Sequence, residues 1–221
     1  MKVPRRFYDR PTLDVARDLL GLVLVHKRRG VRTSGVIVEV EAYIGESDPA
    51  CHAAPGPTQR NQPLYGRPGH AYVYLNYGIH CLMNVVTEAH GSPAAVLIRE
   101  LDPLDGIAVM RRRRARAMKG RAARPAAAAL PAREICRGPG NLTMAMGITL
   151  AENTLDLLGS RLYVENRGVA VGPIAWGPRI GIRVGTEAPW RAWVLGHPAV
   201  SGARPIAGRP EGRPLPIKSF V

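Results

Sequence analysis

The chain is predicted to fold as α+β: a single domain with a curved antiparallel sheet, flanked by helices, from which one β-hairpin protrudes. Three observations predict it. Short apolar runs with alternating side chains recur along the chain and are joined mostly by turn residues, as in hairpin-linked strands. Stretches with a helical apolar stripe are few. The 221 residues contain no internal repeat and no domain linker, and are enough to bury a sizeable core. The domain is read as 1–221, with an extended Pro/Gly/Arg-rich tail from 201.

The elements follow in order. Pro11-Thr12 offers a helix N-cap, Leu13, Val15, Ala16, Leu19 and Leu20 form the apolar stripe, and Gly21 stops it. Leu22 to Lys27 and Val36 to Tyr43 read as strands joined through Arg28-Arg29-Gly30. Residues 44–70 show little periodicity, and an irregular stretch of that length inside a compact chain is usually functional. A hairpin follows, Ala71–Leu75 and Ile79–Val86, turning at Asn76-Tyr77-Gly78, where glycine suits a positive φ. Ala94 to Leu101 is another strand. A helix is expected from Pro103 to about Met118, with Asp102 as its cap. Lys119 to Pro131 reads as a mobile surface loop. Asn141 is expected to cap a short helix, Leu142 to Met146. The last strands are placed at Arg161–Val164, Ile180–Val184 and Trp193–Leu195.

Lys+Arg at 31 against Asp+Glu at 17 leaves a formal net charge of +14, a statement about partners and not about fold. The excess is spread along the chain, with one dense run at Arg111–Arg116, which suits a nucleic-acid duplex. No apolar stretch is long enough to span a membrane, and no basic amphipathic helix presents an aromatic face to one. The N-terminus lacks the apolar run of a secretory signal, and Cys51, Cys81 and Cys136 are odd in number and widely separated. A reducing compartment, the cytoplasm, is expected.

Several residues carry chemistry. On the strand Val36–Tyr43 strict alternation puts Ile37, Glu39, Glu41 and Tyr43 on one face. Glu39 reads equally as a solvated side chain or a functional one. Glu41, which abuts the irregular stretch, is the better candidate for a carboxylate that holds a water as general base. Arg99 interrupts an apolar strand, where a charge is costly unless paired. It either makes an ordinary ion pair with a strand carboxylate or contacts a phosphate or a catalytic carboxylate. Tyr72 and Tyr74 share a face of the hairpin, and with Tyr43, His52 and Asn84 they form either ordinary packing or a slot for a flat ligand. Tyr77 at the hairpin tip has no core to fill: it either folds back onto its own protein or, in a basic chain, unstacks a duplex. The adjacent pairs Cys51-His52 and His80-Cys81 do not suggest a metal, because neighbours on a strand face opposite ways and no Cys-x-x-Cys or His-Glu-x-x-His spacing exists. Neither a metal nor any other cofactor is predicted.

Ile37-Val-Glu-Val-Glu-Ala-Tyr43, Asp48-Pro-Ala-Cys-His-Ala53, Thr58-Gln-Arg-Asn61, Pro68-Gly-His-Ala-Tyr-Val-Tyr-Leu-Asn-Tyr-Gly78, Leu97-Ile-Arg-Glu-Leu-Asp-Pro103 and Cys136-Arg-Gly-Pro-Gly-Asn-Leu142 stand in one order. Together, from about Phe7 to about Ser201, the chain closely resembles the alkyladenine (3-methyladenine) DNA glycosylases, whose fold is itself similar to the C-terminal domain of formyltransferases. The resemblance implies roles. Glu41 matches the general base and Arg99 the arginine beside the catalytic water. Tyr43, His52 and Tyr74 match the pocket for an extruded base, and Asn84 the residue that disfavours guanine. Tyr77 matches the side chain that fills the gap in the duplex. Arg60, Gly138, Gly140 and Asn141 are further candidates for the DNA backbone. The implied protein is a monomer acting on double-stranded DNA with damaged purines. The alternatives are a non-catalytic binder of distorted DNA and a binder of structured RNA.

Overall fold

The computed structural model describes residues 1–118 and 130–200. The expected loop at Lys119–Pro131 therefore lies mostly outside the described residues, and the tail from 201 wholly so. The described residues build one curled antiparallel sheet of eight strands with helices packed against it. Its elements are α1 (Arg5–Tyr8), α2 (Thr12–Leu19), β1 (Val23–Arg28), β2 (Val31–Ile44), β3 (Ala71–Asn76), β4 (His80–Val86), β5 (Ala94–Asp105), α3 (Ile107–Met118), α4 (Ala132–Ile135), α5 (Pro139–Met146), β6 (Leu162–Glu165), β7 (Ile174–Gly177) and β8 (Arg191–Val194). The order is β3-β4-β5-β2-β1-β6, with β8 pairing β2 and β7.

β2 organises the molecule. Its first half pairs with β1, residues 39–41 pair with β8, and β5 runs along the opposite edge. A strand that exchanges one neighbour for another along its length curls the sheet, and register shifts between Ser34 and Val40 add local twist. Both faces of its centre are buried, because α2 and the core cover one side and the irregular segments cover the other. Val15, Ala16 and Leu19 of α2 are fully buried against this sheet, each large side chain contributing roughly 1.5–3 kcal/mol of transfer free energy.

Four details differ from the sequence expectations. Pro11 is the N-cap of α2 and makes no side-chain cap, and Thr12 is its first residue. The Thr12 hydroxyl donates instead to Glu88 at 2.5 Å, and Leu13 lies on the outer face. β5 runs on through Asp102 and Pro103 to Asp105, so α3 opens at Ile107. Pro103 is accommodated because it faces Gly35 at a register shift, where its missing N–H costs little. α5 opens at Pro139 behind Gly138, and Asn141 lies inside it. The segment expected to be a strand at 180–184 forms no strand; β7 lies earlier, where Ile174–Gly177 pairs with β8.

Candidate active site

The centre of β2 carries the charges. Glu39 and Glu41 are both fully buried, and Arg99 reaches across from β5 to touch both. Its Nε donates to Glu39 Oε1 at 2.8 Å and its Nη1 pairs with Glu41 Oε1 at 3.0 Å. Burial alone would pull Arg99 down, but the Glu41 and Glu39 charges outweigh it and hold the guanidinium above its ordinary value. Arg99 thus has carboxylate partners, and they are two strand residues, Glu39 and Glu41. Glu39 is not a solvated face residue: it also accepts from Arg191 Nε at 2.6 Å. β5 and β8 close over both sides of β2 at this point, which alternation in one strand does not reveal.

Glu41 takes two further donors. The Tyr43 hydroxyl donates to Oε2 at 2.9 Å and the Ile180 N–H donates to Oε1 at 2.7 Å. Burial first, then the Glu41 charge, pushes the Tyr43 phenol well up, so it stays a donor. Ile180 is brought there by its neighbour. Arg179 grips Asp48 with both ends of its guanidinium, at 2.5 and 2.8 Å, donates to the Ala42 carbonyl at 3.1 Å, and lies against the rings of Tyr43 and Trp190.

Beside this network lies a cavity of about 440 Å³. Glu41, Arg99, Tyr43, His52, Tyr74, Asn84 and Tyr77 all line it, so the structure brings together seven of the eleven residues singled out from the sequence. The His52 and Tyr74 rings meet edge-on, 4.4 Å between centroids, and Tyr72 lies 5.4 Å from Tyr74. His52 Nδ1 shares a hydrogen bond with the Tyr72 hydroxyl at 2.8 Å, and burial pulls its pKa down, which keeps the imidazole neutral. The irregular stretch 44–70 has a visible purpose here: Asn61 donates to the backbone carbonyls of His52 and Gly56, fixing the loop that presents His52. Asn84 donates to the Tyr72 carbonyl at 3.1 Å, which sets the orientation of its amide.

The hairpin turn stands out from the sheet. Tyr77 is 86% exposed and Ile79 is 73% exposed. The Ile79 N–H donates to the Asn76 carbonyl, and Tyr77 and Gly78 have φ of 49 and 69, the signature of a type I′ turn.

The remaining four residues lie outside the cavity. Arg60 is exposed near the hairpin, its guanidinium 5.8 Å from the Tyr74 ring. Gly140 allows α5 to seat on β4, since a Cβ there would come 3.0 Å from the His80 side chain. Asn141 donates to the Arg137 carbonyl and accepts from Arg114. Gly138, with φ +88, turns the chain into α5, whose Pro139 reaches the cavity. In the basic run, Arg111 and Arg113 donate to backbone carbonyls of Leu130 and Ala145, while Arg112 and Arg116 are exposed. Among the described residues, no group of three or more His, Cys, Asp or Glu side chains is placed to hold a metal ion. Nor is any helix among them long and apolar enough to cross a membrane.

Comparison with known proteins settles the family. The family model of methylpurine-DNA glycosylase matches residues 6–198. This chain belongs to the methylpurine-DNA glycosylase family. A relative from Methanocella arvoryzae is 48% identical over 207 residues, covering 92% of this chain and 97% of its own. One from Rubrobacter xylanophilus is 48% identical over 193 residues, 87% and 93% of the two chains. One from Prosthecochloris aestuarii is 41% identical over 207 residues, 93% of each. All three are provisionally named 3-methyladenine DNA glycosylases. Membership of the methylpurine-DNA glycosylases makes this chain a DNA glycosylase, a hydrolase of base excision repair whose substrate is DNA.

Sequence reasoning missed part of the cavity of this methylpurine-DNA glycosylase family member. Ile180, Gly181 and Ile182 line the cavity, and Arg179 with Asp48 clamps their loop. The one signal for them was Arg179 itself, a charge between Gly-Pro and an apolar run, and it was hidden by reading 180–184 as a strand.

Proposed function

We propose that the protein is a monofunctional, monomeric glycosylase for alkylated and deaminated purines in duplex DNA, of the 3-methyladenine, 7-methylguanine and hypoxanthine type. It hydrolyses the N-glycosidic bond and leaves a free base and an intact abasic site. One observation supports this above the others: Glu41 lies buried at the inner wall of a ring-lined cavity with donors from Arg99, Tyr43 and Ile180 on its carboxylate. A carboxylate offers about four lone-pair sites, so one remains to accept from a water.

The basic surface binds phosphates without regard to sequence and in a salt-sensitive way. Arg60 and the backbone at Gly138, Gly140 and Asn141 serve that contact. Tyr77 enters the minor groove and fills the space of the departing nucleotide, offsetting an unstacking cost of roughly a few kcal/mol. Damaged pairs have less to lose, which gives part of the selectivity. The extruded base lies against Tyr43, His52 and Tyr74. Electron-rich ring faces favour a cationic methylated purine, and a neutral His52 sets no positive charge against it. Asn84 rejects guanine at its exocyclic amine.

Glu41 takes one proton from the water as the water oxygen bonds to C1′. The electrons of the N-glycosidic bond leave with the base, and the Glu41 carboxylate faces the cationic sugar that develops. A methylated purine departs neutral; hypoxanthine needs a proton on the base to do the same. No lysine lines the cavity among the described residues, so no Schiff base forms and the strand is left uncut. The test is chromatography of purines released when the protein is incubated with DNA treated with a methylating agent. Release of methylated purine with the strand intact is expected; no release ends the proposal.

A further inference from the structure

The connection between β7 and β8, from Gly177 to Arg191, does more than send the Ile180 N–H to Glu41. An irregular connection of that length in a compact chain is usually functional. One guanidinium ties both feet of its middle part: Arg179 holds Asp48 with Nη1 and Nη2, and Nη2 also donates to the Gly185 carbonyl at 3.1 Å. Residues 180–184 therefore form an arch whose ends are fixed. A Cβ at Gly185 would come 2.9 Å from the same guanidinium, which leaves glycine as the residue that fits. Ile180 is 40% exposed and Val184 51% exposed, while Ile180, Gly181 and Ile182 border the same cavity as Tyr77. Arg183, between Ile182 and Val184, is exposed and makes no hydrogen bond or ion pair among the described residues. Glu187, the one acid in the connection, is exposed as well. Apolar side chains scattered singly over a surface are ordinary. A tied arch that interleaves them with a free cation at a cavity mouth is not.

We infer that residues 180–184 grip the DNA strand that carries the extruded nucleotide: Ile180 and Val184 pack on the sugar faces beside the gap, and Arg183 pairs with a neighbouring phosphate. The inference rests on the reading of the cavity as the place that receives the extruded base. Turning a nucleotide out of the stack bares the sugars and base faces of its neighbours, and phosphates stand between those sugars. Apolar side chains with a free cation among them match that run of surfaces. Because Arg179 already orders the arch, docking spends little of its conformational freedom. The arch and the hairpin tip then have separate tasks. Tyr77 fills the space left in the duplex, and the arch holds the backbone beside it. A strand seated on the arch is also registered against the carboxylate, since the Ile180 N–H on the same backbone donates to Glu41 Oε1 at 2.7 Å.

The test is binding, read by fluorescence anisotropy over a salt series, to a duplex with hypoxanthine on a fluorinated, hydrolysis-resistant sugar and to the same duplex undamaged. The unmutated protein is compared with Val184→Ser, Arg183→Gln and, as a control, Leu195→Ser, an exposed apolar position that does not line the cavity. All three side chains are exposed, so folding is not at stake, and melting temperatures verify it. Val184→Ser is expected to weaken lesion binding roughly three- to tenfold, the worth of covering its exposed apolar surface, with the slope of log affinity against log salt unchanged. Arg183→Gln is expected to reduce that slope by about 0.9 on both duplexes, the worth of one phosphate contact. Leu195→Ser should match the unmutated protein. The inference is overturned if Val184→Ser binds the lesion as tightly as the unmutated protein, if Arg183→Gln keeps the full slope, or if Leu195→Ser loses as much as Val184→Ser. Base release from an ordinary lesion duplex is measured apart. A protein that shows both losses and releases no base refutes the enzymatic reading and leaves the arch standing. One that releases base and shows neither loss removes the arch and leaves the enzyme.

Discussion

The cavity floor and the hairpin tip belong to one sheet and are built on opposite terms. At the floor, Glu41 is fully buried and accepts from Arg99, Tyr43 and Ile180, and Arg99 is itself shared with Glu39. At the tip, Tyr77 is 86% exposed on a backbone with φ 49, a conformation that costs a non-glycine residue on the order of 1 kcal/mol. The floor gives up solvent and fixes its groups, which on the proposed reading is what stabilisation of a developing charge requires. The tip keeps a large ring in water, which on the same reading gives it something to gain on docking. Both rings border the cavity, but Tyr74 packs against His52 and Tyr72 whereas Tyr77 is exposed, and on the proposed reading that difference separates chemistry from capture.

The strongest way to break this contrast is at the floor. Glu41→Gln retains the shape and loses the base, so base release is expected to fall by about 10²–10⁴-fold, with lesion-duplex binding kept within a few-fold. Single-turnover chemistry and gel retardation measure the two. Loss of both together would mean that Glu41 shapes the pocket instead of reacting in it.

Next in size is the clamp. Arg179→Ala leaves Asp48 buried without its guanidinium, at a cost of roughly 3–5 kcal/mol, and releases the loop that aims Ile180 at Glu41. Thermal stability and base release should both fall, and Arg179→Lys should restore charge without the two-pronged grip. A variant that melts lower yet releases base at the unmutated rate would make the clamp purely structural.

The clamp also marks where sequence stops being legible. Alternation in β2 was enough to put Glu39, Glu41 and Tyr43 on one face, and Gly78 was enough to place the turn. The burial of Glu39 was not readable, because it depends on Arg191 arriving from β8, 152 residues away. Pro103 looked like a helix start because nothing local announces a register shift in the partner strand. Ile180–Val184 looked like a strand because Ile180 and Ile182 are apolar side chains that line the cavity, and local pattern does not separate lining from pairing. Glu41 was read as a general base from its strand and matched by family likeness, the guanine-rejecting role of Asn84 came from family likeness alone, and geometry alone ties Arg179 and Asp48 to the cavity.

At the tip, Tyr77→Ser removes the ring and keeps a polar turn residue. Extrusion, followed by fluorescence of a base analogue beside the lesion, should weaken by roughly tenfold, within the few kcal/mol at stake in unstacking a step. Binding to undamaged duplex, carried by phosphates, should change far less. Equal loss in both would remove the wedge role and make Tyr77 an ordinary surface contact.

The smallest effects test whether the turn is strained by design. Gly78 has φ +69, and a side-chain Cβ added there would find nothing within 4 Å. Gly78→Ala therefore meets no neighbour and its cost is purely backbone, about 1–2 kcal/mol. For a chain of this size that lowers the melting temperature by about 2–4 °C per kcal/mol. Tyr77→Gly acts in the other direction: it relieves the left-handed tyrosine, and the gain is partly cancelled by the extra freedom glycine has in the unfolded chain. Its melting point should stay level or rise slightly while extrusion falls as in the serine variant. A protein made no less stable and less active by the same change would locate the cost of docking in one dihedral angle. Were Tyr77→Gly to destabilise as much as Gly78→Ala, the ring would have to be packing on its own protein, and the contrast between floor and tip would be lost.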